Sequence, residues 1–185
     1  MNIIYVPITA EPEQEQETEE EEESGPLEVL PLDAAEDVKE CALAASWYTA
    51  NTRFGGDTAA HKEKFNDSAA SFAEKLDGRV SAETCDTIKW MFWSAAWHTA
   101  NERKGYTGDS AKDKVSWENN YQSIVDSGEL SVTLVDSIRW MDWNAAWLAA
   151  NTGIGYTGDA AKNEAAIETW FACIHDGGKT EDDDC

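Results

Sequence analysis

Residues 88–101 read Ile88-Lys89-Trp90-Met91-Phe92-Trp93-Ser94-Ala95-Ala96-Trp97-His98-Thr99-Ala100-Asn101, and residues 138–151 read Ile138-Arg139-Trp140-Met141-Asp142-Trp143-Asn144-Ala145-Ala146-Trp147-Leu148-Ala149-Ala150-Asn151. A more divergent copy precedes them, Val38-Lys39-Glu40-Cys41-Ala42-Leu43-Ala44-Ala45-Ser46-Trp47-Tyr48-Thr49-Ala50-Asn51, so Trp47, Trp97 and Trp147 fall fifty residues apart. A second block follows each later copy, Gly105-Tyr106-Thr107-Gly108-Asp109 and Gly155-Tyr156-Thr157-Gly158-Asp159, and is shortened to Gly55-Gly56-Asp57 in the first. A fixed period of this size marks stacked supersecondary units.

Each unit reads as two helices. Ser81 and Ser131 are suited to cap the first helix, because a serine oxygen accepts from the free backbone N–H groups of an opening turn. Val80 and Leu130 stand before them as hydrophobic staples. The alanine-rich run to Asn101 or Asn151 contains no proline and stops near Gly105 or Gly155, where glycine takes a left-handed cap. Asp57, Asp109 and Asp159 are expected to cap the second helix, which ends at Asp77-Gly78, Ser127-Gly128 and Gly177-Gly178. The expected fold is therefore all-α: three tandem repeats of about fifty residues, forming a short α-solenoid or a compact six-helix array.

At 100° per residue, Ile88, Phe92, Ala95 and Thr99 share one side of the first helix, with Trp90, Trp93 and Trp97 nearly opposite. A helix apolar on two sides is sandwiched between layers or carries a binding face. The second helix is one-sided, with Trp117, Tyr121 and Ile124 at helical spacing, Phe65, Phe72 and Leu76 in the first copy, and Ile167, Phe171 and Ile174 in the third. The first helix is thus read as inner and the second as outer. Glu40 and Leu43 dilute the tryptophan face of the first copy, as in a capping repeat. Asp142 replaces Phe92, which suggests an exposed face at the far end. Together these departures predict a linear stack in the order one, two, three.

Charge is the second signal. The chain has 37 acidic against 14 basic residues, for a net charge of −23. Nine glutamates crowd residues 11–23, and Glu181-Asp182-Asp183-Asp184 adds four acids. Without those thirteen the remainder carries about −10. Such tails repel themselves and bury nothing, so residues 9–26 are expected to be disordered and dispensable for folding. The division follows: an acidic tail over 1–28, a helical domain over 29–178 with repeats at 29–78, 79–128 and 129–178, and an acidic tail over 179–185. A field of this sign repels nucleic acid and anionic membranes and attracts basic proteins. No basic stripe for direct nucleic-acid binding is present. No run of eighteen apolar residues occurs. The short apolar start Met1–Ile8 lacks a positive flank, so it reads as a strand or docking arm rather than a signal peptide. Four cysteines without CxxC spacing make no disulfide framework and favour the cytoplasm. Among them Cys41 is expected in the core and Cys185 as an exposed thiol.

Candidate sites are few. The tryptophans are read first as core. The alternative is an aromatic groove lined by Trp90, Trp93, Trp97, Trp140, Trp143 and Trp147. Asn101 and Asn151, with Asn51 at the same repeat position, lie on the tryptophan side. They either satisfy a neighbouring loop or touch a ligand. The glycine-rich loop lacks phosphate-loop spacing and calcium-loop alternation. No HExxH, zinc spacing or GxSxG nucleophile occurs, so neither a metal, a cofactor nor a catalytic group is assigned. The expected function is non-enzymatic: an acidic protein that binds a basic partner, in one version as a nucleic-acid mimic inhibiting a DNA-binding protein. The competing reading is a helical module that holds a peptide or small ligand in the aromatic groove.

Overall fold

The computed structural model describes residues 25–177, so the expectations for the apolar start, for residues 1–24 of the first acidic tail, for the second tail and for Cys185 lie outside the described residues. The first tail's last residues, 25–28, are described, and Leu27 is hydrogen-bonded into the fold. Six helices follow one another: α1 (Leu32–Phe54), α2 (Ala59–Lys75), α3 (Ala82–Lys104), α4 (Thr107–Ser127), α5 (Val132–Gly153) and α6 (Thr157–Asp176). The described residues contain no strand beyond one isolated parallel bridge between Leu27 and Leu130. None of their helices is long and apolar enough to cross a membrane.

Local chemistry sets the helix ends. Ser81 accepts from the N–H of Thr84 at 3.1 Å, and Ser131 from that of Leu134 at 3.2 Å. Val80 and Leu130, just before these caps, are buried. Gly105 closes α3 at φ 86°, a conformation that side chains with a Cβ resist. In the first repeat Asp57 stands before α2 as expected and accepts from the Ala59 N–H at 3.0 Å, but the other two second helices begin earlier than expected. α4 and α6 start at Thr107 and Thr157, which puts Asp109 and Asp159 in the first turn, beside the positive end of the helix dipole, rather than at the cap.

The three repeats close on themselves instead of forming a line. Each of α1, α3 and α5 packs against both of the others, and each outer helix leans on the inner helix of the next repeat: α2 on α3, α4 on α5, α6 on α1. Alanines make this possible. Ala45, Ala95, Ala96, Ala145 and Ala146 are fully buried, and their small side chains let the inner helices approach closely. Thr49 Oγ1 donates to the Ala96 carbonyl and Thr99 Oγ1 to the Ala146 carbonyl, both at 3.0 Å. Side chain-to-backbone bonds between neighbouring helices pin their register. The outer helices bury Phe65 and Phe72, Trp117 and Ile124, and Ile167 and Ile174. Burial of side chains this size contributes about 1.5–3 kcal/mol each.

The departures that suggested a linear stack have other causes. Asp142 is completely buried, not exposed at an outer face. The first repeat is no free cap, since α1 packs on α5 and α6. Lys39 of α1 reaches Glu168 of α6 at 3.3 Å and lies 4.0 Å from the centre of the Phe171 ring, which seals the third seam. The chain before α1 joins the same closure. The Leu27 N–H donates to the Glu129 carbonyl, the Ser131 N–H to that of Leu27, and the Leu30 N–H to that of Ile174.

Candidate binding surface over the inner helices

The tryptophan side of each inner helix lies along the groove between two outer helices. In repeat two, Trp93 stacks on Tyr48 and tilts against Phe65, both at 5.2 Å between ring centres. Trp97 and Trp90 meet Trp93 edge-on at 6.0 and 6.3 Å. Repeat three repeats the pattern. Trp143 lies 4.5 Å from Trp117 and 5.2 Å from His98, Trp147 meets Trp143 edge-on at 6.0 Å, and Trp140 meets Trp117 at 6.4 Å. Offset and edge-on contacts suit the quadrupoles of these rings. Trp93, Trp97, Trp143 and Trp147 are half-buried seam fillers, each touching an aromatic residue of the preceding repeat. Trp90 and Trp140 stay 44% and 38% exposed at the rim. The six candidate tryptophans thus come together as two sets of three.

Asn101 and Asn151 are occupied by the fold. Asn101 accepts from Arg53 Nε at 2.7 Å and donates to Asp113 at 2.8 Å. Asn151 accepts from Arg103 Nε at 2.9 Å and donates to Asn163 at 3.0 Å. Each arginine comes from the preceding repeat. The Arg53 guanidinium lies 4.8 Å from the Trp97 ring centre and 4.9 Å from that of Tyr106, and Arg103 lies 4.8 Å from Trp147 and 5.0 Å from Tyr156. This accounts for the glycine-rich loop: its tyrosine covers an arginine. Burial raises the pKa of Asp113, partly offset by the hydrogen bond from Asn101.

Repeat one lacks the arginine of this arrangement. Position 153, where an arginine over Trp47 would have to originate, is glycine, and a Cβ there would come within 2.5 Å of the Phe54 ring. Glu40 and Leu43 replace two indoles. What remains is a groove of about 500 Å³ between Glu36, Glu40, Leu43 and Trp47 of α1 and His61 and Lys64 of α2. Lys64 is paired with Glu40 across it.

Two polar features escaped the sequence reading. Asp142 has one oxygen bonded to Trp117 Nε1 at 3.0 Å, while its Oδ1 has no partner among the described residues. Burial pushes its pKa well above the ordinary carboxylate range, and the Trp117 N–H opposes that shift. Its mark in the sequence is a carboxylate at the Phe92 position, which points to exposure by pattern alone, whereas the structure buries it against Trp117. The second feature is a cluster: Ser110 Oγ lies 2.8 Å from His98 Nδ1 and 2.7 Å from Glu102. Ser110 is buried and hydrogen-bonded on both sides, so it fixes α4 to α3 and offers no exposed nucleophile. Cys41 and Cys85 are buried free thiols, and burial pushes them up to about 12 and about 11. Cys173 is not a free thiol. The chain matches no protein-family model, no curated protein and no solved structure.

Proposed function

We propose that this protein is a non-enzymatic acidic interaction protein whose partner is basic. The observation that carries the reading is the excess of exposed carboxylates on the folded part. Lys39, Arg53, Lys89, Arg103 and Arg139 lie half-buried over aromatic rings at the seams between repeats. Lys75 pairs with Asp37 and Lys64 with Glu40. Acids such as Glu63, Asp67, Glu74, Glu118, Asp126 and Glu164 stand exposed on the outer helices. The five cations over aromatic rings are drawn into the seams, while others such as Lys62, Arg79, Lys112 and Lys114 stay exposed and are outnumbered by carboxylates, so the folded part presents a net negative charge on a rigid frame. That arrangement suits attraction and fast docking of a basic protein.

Nucleic-acid mimicry is the specific version of this proposal: helix-borne carboxylates stand in for phosphates in the cleft of a DNA-binding protein. The deciding experiment is affinity capture from the native host at rising salt, followed by competition with duplex DNA. Capture should weaken steeply between about 50 and about 500 mM salt, because screening lengths fall well below the size of the interface. A mimic competes with DNA and survives removal of residues 9–26, whereas a tail-driven scaffold does not survive it. A tight partner indifferent to salt would overturn the proposal.

The exposed edges of Trp90 and Trp140 favour a second reading, an aromatic surface that holds a peptide. Under it, alanine at both positions abolishes capture with little loss of stability, and salt has little effect.

A further inference from the structure

We propose that the groove over α1 is a recognition site for an arginine side chain of the partner, with the guanidinium lying over Trp47. The inference rests on the partner being basic, and it names how that partner is gripped.

The fold supplies its own precedent twice. Trp97 and Trp147 each carry a guanidinium at 4.8 Å, delivered by Arg53 and Arg103 of the preceding repeat. Trp47 occupies the same repeat position and has neither a cation nor another ring against it among the described residues. The internal arginine cannot be supplied, because Gly153 holds its place and the Phe54 ring fills the space a side chain would need. Asn51, the counterpart of Asn101 and Asn151, donates to the Asp57 carbonyl at 2.7 Å, and its Oδ1 receives no donor among the described residues.

The groove leading to Trp47 suits the rest of an arginine side chain. It exists because Leu43 stands where Trp93 and Trp143 fill the later repeats, and Glu40 where Trp90 and Trp140 stand. Leu43 and Ala44 offer apolar wall for a methylene stem. Glu36 is exposed at the rim with no ion pair among the described residues. Glu40 lies within, on Lys64, whose exposed ammonium an incoming guanidinium would displace, and Lys39 on the same wall is taken up by Glu168 and the Phe171 ring. A planar guanidinium both stacks on indole and bonds carboxylate. A volume of about 500 Å³ is ample for one such side chain. Lysine meets the charge requirement but not the stacking.

The test uses the full chain labelled with ¹⁵N at its indoles and titrated with N-acetylarginine amide. The Trp47 signal, assigned through Trp47→Phe, should shift and saturate. Those of Trp97 and Trp147, already covered, should stay. N-acetylcitrulline amide, similar in shape but uncharged, should bind at least about tenfold more weakly. Leu43→Trp copies the later repeats and should abolish the shift. If that variant does not fold, Glu40→Trp, copied likewise, takes its place. A silent Trp47, equal binding of citrulline, or unchanged binding to the filled groove would each overturn the site. The two readings fail separately. Salt-sensitive capture of a basic partner by Leu43→Trp leaves the acidic-surface proposal standing and removes the site. Saturable arginine binding at Trp47 without any basic partner in the host does the reverse.

Discussion

Asp142 occupies the position of Phe92 and Ala42, beneath Trp117 of α4, and is wholly buried. A carboxyl there is tolerable only if it keeps its proton or finds donors, and it has one donor, Trp117. Its pKa is therefore raised by burial. In the unfolded chain Asp142 ionises in the ordinary carboxylate range, so between that range and the raised value the folded state holds the extra proton. The stabilising contribution is complete below the ordinary range and is lost as pH rises through the interval. Denaturant titrations at several pH values should show that decline, and Asp142→Asn should flatten it while keeping an acceptor for Trp117. A slope unchanged by the asparagine would place the titration elsewhere. Trp117→Phe removes the one contact among the described residues that favours the charged form, so it should extend the interval to higher pH. It should also cost about 1–3 kcal/mol for a buried acceptor left bare.

The helices were legible from sequence because capping, alanine content and glycine stops act locally: Ser81, Ser131 and Gly105 do what their chemistry dictates. How the helices assemble was not, because closure depends on contacts between residues far apart in sequence. Lys39 and Glu168 are separated by 129 positions and carry no local mark. The candidate site was half legible. The tryptophans and asparagines were identified by repetition, but their partners Arg53 and Arg103 were not, since each serves the repeat after its own. Two seams built alike should respond alike. Arg53→Ala and Arg103→Ala should each lower stability by about 1–3 kcal/mol, for a lost charge-assisted bond and ring stacking. Lysine should restore only part, lacking the Nε donor and the flat face. Chemical denaturation of the four variants checks this. An arginine variant within a few tenths of a kcal/mol of the parent would show that its seam is ornamental.

At the scale of the molecule, closure decides what each repeat is worth. In a linear array the last repeat contacts one neighbour, and its removal leaves the others intact. Here α1 rests on α5 and α6, and Leu27 and Leu30 bond to Glu129, Ser131 and Ile174. A chain ending at Ser127 would expose the buried face of α1 and lose the hydrogen-bond partners of Leu27 and Leu30. Such a chain should show no cooperative unfolding transition, although its individual helices have good propensity. The converse variant keeps all contacts and moves only the ends. Because the Leu30 N–H bonds the Ile174 carbonyl at 2.9 Å, the two ends of the described chain lie side by side. A short flexible linker from Gly177 to Leu27, with new termini between Gly78 and Arg79, should then yield a cooperatively folding protein. Circular dichroism and thermal melting of both chains separate the architectures. A two-repeat chain that melts as sharply as the whole, or a permutant that fails to fold, would count against a closed ring of repeats.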